Sequence, residues 1–216
     1  AFKINTLPDL HIVDRYMKTV ESFGVKNDGK GLDYFIGPDD ETKREDIPAA
    51  HSAGYVACVI GAAHGTKRWP VQKWKEFCAG LNHPIILLGG PEDAAAGNEI
   101  AAIDDIKIYN ACGKFKLNES ADLVRKAKLV VTNDTGLMHI AAAYKKVIIS
   151  LWGNTVPAFG MTPYYGDFSM KALTMQTKVW CRPCSKIGYD KCPLGHFKCM
   201  EKIDAGEVIE RVRQKI

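Results

Sequence analysis

Short apolar segments rich in β-branched residues alternate with helical patterns from residue 55 onward. Such alternation is typical of a parallel sheet whose strands are joined by crossover helices. Five strands and four crossovers predict an α/β fold, a Rossmann-like parallel sheet with helices on both faces. The predicted strands are residues 55–60, 85–88, 106–109, 129–132 and 147–151, and the predicted helices are 71–81, 92–102, 118–126 and 137–144.

The first part of the chain has a different pattern. Residues 10–23 carry apolar side chains at helical spacing, and residues 32–36 are a candidate strand end. The polar stretch 37–48 contains two prolines and a run of charges, which is typical of a linker or a solvated loop. We therefore expect the tail of a preceding domain and a linker over residues 1–48, and a Rossmann-like domain over residues 49–216.

Composition narrows the class of protein. A chain of 216 residues, of which 46% are hydrophobic, can bury one ordinary core. No apolar run approaches the roughly 20 residues that cross a bilayer, and no signal peptide is visible, so we expect a cytoplasmic location. The net charge of +4 suits a binder of phosphorylated ligands or an anionic membrane surface. No RNA-binding signature is present, so we expect no nucleic-acid partner. The chain starts at Ala1 rather than Met, which suggests an excised segment or a processed product.

One strand, turn and helix stand out within this pattern, over residues 129–144. The amide groups of a first helical turn lack internal partners and lie at the positive end of the helix dipole. The Thr135 hydroxyl and the backbone at Gly136 are therefore predicted to hold a phosphate. The alternative interpretation is that Asp134 serves only as a helix N-cap.

A second loop, residues 61–70, follows the first predicted strand. It contains Thr66, Lys67 and Arg68, a hydroxyl and two cations that can neutralise a diphosphate. The alternative is a solvated basic loop with Trp69 as its apolar anchor. Because ligands bind beyond the carboxyl ends of strands in open α/β sheets, both loops are expected at one edge. No G-x-G-x-x-G motif follows the first strand, which argues against a dinucleotide-binding dehydrogenase.

Four motifs cover most of residues 55–200: GAAHGTKRWPVQKW, ILLGGPED, LVVTNDTGLMHIAAA and CPLGHFKCM. Together they resemble the ADP-heptose:lipopolysaccharide heptosyltransferases, glycosyltransferase family nine. The coupling of the DTGLMH turn to KRWP is specific to that family. The resemblance implies a two-domain GT-B fold whose C-terminal half binds the nucleotide-sugar donor, and this chain looks like that half.

The resemblance also implies roles for particular residues. Thr66 and Lys67 would contact the donor phosphates, and Lys67 would be the catalytic group that stabilises the leaving diphosphate, without a metal. In the turn after the fourth predicted strand, Asp134, Thr135 and Gly136 would line the diphosphate and the sugar.

Two further positions follow from the same resemblance. His139 would lie near the donor, although a core or surface histidine is an equal alternative. An acidic residue early in the helix after the third strand would bind the ribose, and Glu119, beside Asn118, has that register. The general base would be an aspartate of the N-terminal domain, so this chain alone is expected to bind donor but to turn over poorly.

Four cysteines cluster in a loop over residues 181–199, and a final helix is predicted at residues 205–214. Their spacing suits a tetrahedral zinc site, with His196 as a further potential ligand. Such a zinc would be structural, and reduced, partly buried thiols are the alternative. The four are Cys181, Cys184, Cys192 and Cys199.

The leading function is transfer of a heptose from ADP-heptose to a lipopolysaccharide core acceptor, by a protein that is cytoplasmic or peripheral to the inner membrane. One alternative is another GT-B enzyme, a UDP-sugar transferase or an epimerase. A second is a non-catalytic interaction module in which a zinc loop is fused to a nucleotide-binding fold. A purely structural fragment is the third.

Overall fold

A computed structural model describes residues 7–168 and 172–216. The strands are β1 (Val56–Val59), β2 (Ile85–Leu88), β3 (Ile108–Asn110), β4 (Leu129–Asn133), β5 (Ile148–Trp152) and β6 (Leu173–Gln176). The helices are α1 (Ile12–Thr19), α2 (Val71–Gly80), α3 (Ala94–Ala101), α4 (Leu117–Lys126), α5 (Gly136–Ala143), α6 (Lys198–Glu201) and α7 (Ala205–Arg213). The strands form one sheet in the order β3-β2-β1-β4-β5-β6, and every paired neighbour runs parallel.

The five predicted strands and the four crossover helices are confirmed, with ends that shift by a few residues. The largest shift of a strand is at β3, which begins at Ile108 rather than at residue 106. The prediction missed β6, a four-residue edge strand in which only Met175 is buried. The short helix α6 was also missed, whereas the C-terminal helix α7 was predicted to within a residue.

The prediction was less accurate before residue 55. The helix expected over residues 10–23 is shorter, because α1 ends at Thr19. The strand end expected at residues 32–36 is wrong, since the structure has no strand there. This segment lies against a helix instead of a sheet edge, and the Tyr34 hydroxyl donates to Oδ1 of Asn118 in α4 at 2.8 Å.

Both faces of the sheet are buried, as predicted. Alternate residues of β1 point to opposite cores: Val56 and Cys58 pack with α2, α3 and α7, whereas Ala57 and Val59 pack with α4 and α5. Parallel strands covered on both faces are apolar at successive positions, which explains the unbroken apolar runs in the sequence. The carboxyl edge of the sheet is therefore the place where polar residues can face a ligand.

The polar stretch 37–48 is anchored to α4 and is not a freely solvated loop. Thr42 is buried, and its N–H and its hydroxyl donate to Oδ2 of Asp122 at 2.8 and 2.7 Å. The Asp122 side chain is fully buried and pairs with Arg125 and Lys126, each at 2.6 Å. Burial favours the neutral form of this carboxyl, but hydrogen bonds from its partners outweigh burial and lower the pKa of Asp122.

Asp122→Asn is expected to lower the free energy of unfolding near neutral pH by about 1–3 kcal/mol, because charged donors lose their acceptor. Folding lowers the pKa of this carboxyl below its unfolded value of about 3.9. Its contribution to stability is therefore present above that pH and is lost as the pH falls through the folded pKa.

Urea denaturation of wild type and Asp122→Asn, from neutral pH down to below the folded pKa of Asp122, measures the difference in the free energy of unfolding. The difference between wild type and variant should shrink toward low pH. Asp39→Asn, at an exposed carboxylate of the same stretch, is the matched control and should change little. A difference that stays constant with pH would contradict the assignment.

Candidate functional site

The two loops singled out in the sequence meet at the centre of the sheet. β1 and β4 are parallel neighbours, with Val59 beside Thr132 at their carboxyl ends. From β1 the chain crosses to β2 on one side, and from β4 it crosses to β5 on the other. Such a reversal opens a crevice between the loops that follow the two strands. The expectation that both loops lie at one edge is confirmed.

Asn133, the last residue of β4, joins the two loops. Its Nδ2 donates to the carbonyl of Ile60 at 2.8 Å and to that of Val59 at 3.3 Å. Its Oδ1 accepts from the Trp69 N–H at 3.1 Å, so one amide holds the loop after β1 at both ends. The side chain is fully buried, and these bonds therefore exchange little with water.

Lys67 and Asp134 form an ion pair across the crevice. Nζ of Lys67 lies 2.8 Å from Oδ2 of Asp134, and the two side chains are only 14% and 7% exposed. The hydroxyl of Thr155, which follows β5, donates to the same oxygen at 2.8 Å. Asp134 is not the N-cap of α5, since Thr135 has that position. The carboxylate instead orients the ammonium group at the mouth of the site.

The N-terminus of α5 faces open space. Thr135 makes no side-chain hydrogen bond that would cap the helix. A Cβ placed on Gly136 would meet no atom of the described residues within 4 Å. The helix therefore presents uncapped amides and the positive end of its dipole beside Lys67, an arrangement that suits a phosphate.

A cleft of about 410 Å³ continues from this point along the edge of the sheet, above β1 and β2. Three glycines, two carboxylates and several apolar side chains line it. This combination suits a flat heterocycle joined to a polyol. The glycines are Gly61, Gly89 and Gly90, the carboxylates are Glu92 and Asp93, and the apolar residues include Phe115, Leu117 and Leu137.

Asp93 is a site residue that sequence reasoning missed. It is buried, accepts from the Gly90 N–H at 2.9 Å, and lies 3.4 Å from a guanidinium nitrogen of Arg68. Burial raises the pKa of Asp93 and outweighs these two favourable contacts. A Cβ on Gly61 would clash with the Asp93 carboxylate in its observed position, so glycine lets this carboxylate pack against the loop. The signal was available: an acidic pair directly follows the GGP turn at the end of β2.

Glu119 lies early in α4, the helix after β3, as predicted, but its side chain has a local partner. Its carboxylate accepts the Lys116 N–H at 2.6 Å, an N-terminal cap of α4, and Glu119 does not line the cleft. Its neighbour Asn118 bonds to Asp40 at 2.7 Å and to Tyr34. Both positions therefore stabilise the helix and the preceding segment. The ribose contact of Glu119 stays a prediction that this geometry does not support.

Thr66 also has a structural partner. It is buried, its N–H and hydroxyl both donate to the Tyr189 carbonyl, and its hydroxyl accepts from the Tyr189 N–H at 2.8 Å. These contacts attach the Cys-rich segment to the loop that carries Lys67. The predicted phosphate contact of the Thr66 hydroxyl is not supported, because that hydroxyl is already hydrogen-bonded to the backbone of Tyr189.

His139 lies one turn into α5 and is half-buried. Burial lowers its pKa, the nearby charge of Asp134 opposes that shift, and His11 and Lys67 reinforce it. A neutral imidazole beside the Lys67 and Asp134 pair can donate or accept a hydrogen bond. The structure thus places His139 near the site without giving it a definite contact.

The four clustered cysteines do not form a ligand set. Across residues 7–168 and 172–216, no three His, Cys, Asp or Glu side chains are arranged to hold a metal ion. Cys181 Sγ lies 3.7 Å from Nε2 of His196, and Cys184 Sγ donates to the Cys181 carbonyl at 3.4 Å. Zinc stays a prediction that this geometry does not support.

Fold and site together define an α/β protein with a crevice, which presents a lysine and an uncapped helix N-terminus, and an adjoining cleft at the switch point of a parallel sheet. The profile of glycosyltransferase family 9 (heptosyltransferase) matches residues 1–191, and the chain belongs to that family. No described helix combines the length and apolar character that a bilayer crossing requires.

Individual proteins are similar to this chain in sequence or in fold. Over 115 residues the chain is 39% identical to lipooligosaccharide heptosyltransferase 2 of Haemophilus influenzae, a match that covers 50% of this chain and 33% of that protein. The fold is similar to that of a family 9 glycosyltransferase from Veillonella parvula, with a TM-score of 0.70, 23% identity, and coverage of 99% and 62% of the two chains. The fold is also similar to that of E. coli heptosyltransferase WaaC with ADP, with a TM-score of 0.66, 22% identity, and coverage of 99% of this chain and 59% of that chain. The chain thus spans less than two thirds of each of these proteins.

Asn133→Ala is expected to lower the free energy of unfolding by about 2–3 kcal/mol and to weaken nucleotide binding, since buried carbonyls and the Trp69 N–H lose their partners. Urea denaturation and calorimetry with ADP measure the two effects. Asn133→Asp keeps one acceptor but loses the donor, so its stability should lie below that of wild type. An Ala variant that loses stability and keeps full affinity would separate Asn133 from the site.

Proposed function

We propose that this chain is the donor-binding half of a glycosyltransferase that transfers a heptose from ADP-heptose to a lipopolysaccharide core acceptor. The observation that carries the proposal is the ion pair of Lys67 with Asp134, the residue that directly precedes the uncapped N-terminus of α5, at the switch point. Family membership supports the reaction class. The solved structure of E. coli heptosyltransferase WaaC with ADP supports the choice of nucleotide.

The donor is placed by matching its parts to the cleft. The diphosphate lies between Lys67 and the α5 amides at Gly136. The adenosine extends along the cleft, where Glu92 and Asp93 bind the ribose hydroxyls in place of Glu119. The carboxylate of Asp134 would repel a phosphate, so it faces the hydroxyls of the sugar and holds Lys67 in position.

The proposed reaction is a displacement at the anomeric carbon. An acceptor hydroxyl oxygen forms the new bond to that carbon, the bond to the diphosphate oxygen breaks, and its electron pair leaves with ADP. Negative charge therefore accumulates where Lys67 and the α5 amides lie. One such preorganised donor contributes about 3–4 kcal/mol to transition-state stabilisation in other enzymes. The hydroxyl proton passes to a base in the N-terminal half.

That half is the proposed partner of residues 7–36. Several of their large apolar side chains are exposed, including Phe23 at 82% and Phe35 at 86%. Apolar surface of this kind marks an interaction site. We propose that it packs on an N-terminal domain, so that this chain alone binds donor without efficient transfer. The acceptor would bring the complete protein to the cytoplasmic face of the inner membrane.

Lys67→Gln is expected to weaken ADP binding roughly 10- to 100-fold, the range for loss of a charge-assisted contact. Calorimetric titration measures the dissociation constant. Lys215→Gln removes an equal charge from the exposed C-terminus and should leave it unchanged. The double variant Lys67→Gln and Asp134→Asn tests whether the loss comes only from a carboxylate left unpaired. If the double variant binds like wild type, Lys67 does not contact the phosphates.

ADP is expected to bind more tightly than UDP, by about tenfold, because a purine buries more apolar area against Phe115 and Leu117 than a pyrimidine does. Competition between the two nucleotides for the same chain measures the ratio. Tighter binding of UDP would favour a UDP-sugar transferase or an epimerase. Absence of heat with either nucleotide at millimolar concentration would contradict the donor-binding proposal.

A further inference from the structure

The segment between β6 and α6 exposes apolar side chains to solvent. Four large apolar residues are exposed between positions 180 and 194, namely Trp180 at 83%, Ile187 at 60%, Tyr189 at 43% and Leu194 at 52%. Single exposed apolar residues are ordinary on a protein surface, whereas several close together mark an interaction site.

The same segment is basic. Between residues 178 and 198 it has one carboxylate, Asp190, and five basic residues, of which four are exposed lysines. These lysines make no ion pair among the described residues. The fifth basic residue, Arg182, is half-buried and donates to the Thr155 carbonyl at 2.8 Å. The lysines are Lys178, Lys186, Lys191 and Lys198.

Neighbouring charges leave this excess in place. The adjoining loop is balanced, because Lys67 and Arg68 each have a carboxylate partner. After residue 198, Lys202 offsets one of two carboxylates, Glu201 and Asp204, and Asp204 caps the N-terminus of α7. The segment therefore exposes more ammonium groups than carboxylates.

Contacts within the segment fold it on itself. Sγ of Cys181 lies 3.7 Å from Nε2 of His196, and Sγ of Cys184 donates to the Cys181 carbonyl at 3.4 Å. The Tyr189 hydroxyl donates to the Cys184 carbonyl, also at 3.4 Å. Trp180 directly precedes Cys181, so these contacts bring Trp180 and Tyr189 into one region of the surface.

The inner side of this folded segment is attached to the domain. The Tyr189 N–H donates to the Thr66 hydroxyl at 2.8 Å, and the Cys184 N–H donates to the Asn154 carbonyl at 3.0 Å. Leu194 is two residues before His196 and therefore belongs to the same region. The exposed apolar side chains and the lysines form an outward-facing patch, defined here by residues 178–194.

We propose that this patch docks the protein on the surface of a bilayer that contains anionic phospholipids. A tryptophan side chain prefers the membrane–water interface, aliphatic side chains enter the boundary of the acyl chains, and lysines bind the headgroup phosphates. Trp180 and the lysines alone would also fit a single-stranded nucleic acid. Ile187 and Leu194 favour the membrane, because bases offer them no apolar phase. This inference does not depend on the proposed transferase activity.

The emission of Trp180 tests the proposal directly. The chain has four tryptophans, and Trp69, Trp74 and Trp152 are at most 2% exposed, so Trp180 reports on the patch. When phosphatidylglycerol vesicles are added to the full chain, its emission should shift to shorter wavelength, and brominated lipids should quench it. Vesicles of phosphatidylcholine alone have no net charge and should give a much smaller change.

Removal of three lysines tests the electrostatic part. The variant Lys178→Gln, Lys186→Gln and Lys191→Gln should bind the anionic vesicles roughly 10- to 100-fold more weakly, as measured by sedimentation. A matched variant removes three exposed lysines that lie outside the patch and should bind like wild type. Its substitutions are Lys43→Gln, Lys128→Gln and Lys215→Gln.

Removal of two aliphatic side chains tests the apolar part and keeps Trp180 as the reporter. Ile187→Ser with Leu194→Ser should weaken vesicle binding roughly tenfold. Ile106→Ser, at a residue that is 75% exposed before β3, is the matched control and should leave binding unchanged. Thermal melting confirms that the variants fold.

Two results with vesicles would overturn the proposal. One is an unchanged Trp180 emission when anionic vesicles are added to wild type. The other is equally tight vesicle binding by wild type and by the variant that lacks Lys178, Lys186 and Lys191. An emission change with a single-stranded oligonucleotide, and none with vesicles, would overturn it in favour of a nucleic-acid surface.

Discussion

The side-by-side packing of β1 and β4 is the constraint on which the candidate site depends. Neighbouring parallel strands lie about 4.8 Å apart, so the loops that follow them are within reach of a single small ligand. The chain crosses from these two strands in opposite directions, which leaves a crevice at their carboxyl ends. Asn133 then fixes the distance between the loops through bonds to Ile60 and Trp69. Because of this local geometry, Lys67 pairs with Asp134 directly before the N-terminus of α5.

The sheet could be predicted because its strands are buried on both faces. Residues such as those of β2 (Ile85–Leu88) have no polar alternation, and glycine and proline mark their ends. β6 lacked this signal, because a half-exposed edge strand has a mixed composition. The prediction of a strand end at residues 32–36 was wrong for the opposite reason. Its composition suits a strand, but tertiary contacts with α4 determine its conformation.

Part of the site could also be predicted from residue types that face the carboxyl edge. Lys67, Asp134 and Gly136 lie where the motifs placed them, although the functional role of each stays a prediction. Thr66 and Glu119 have side chains that could bind a ligand, but both are hydrogen-bonded within the protein. Thr66 donates to the Tyr189 carbonyl, and Glu119 accepts from the Lys116 N–H. A sequence shows which groups can bind a ligand, but not which of them the fold already satisfies.

The charge balance of the crevice explains how it can be ready for an anion without an unpaired buried cation. Lys67 is paired with Asp134, and Arg68 lies beside Asp93, so the resting site is close to neutral. An ammonium group has three donors, and the contact with Asp134 uses one of them. Lys67 can therefore keep its carboxylate partner and still donate to a phosphate. Because Thr155 also donates to Asp134, the carboxylate is held in place, and it fixes Lys67 beside the residue that precedes the N-terminus of α5.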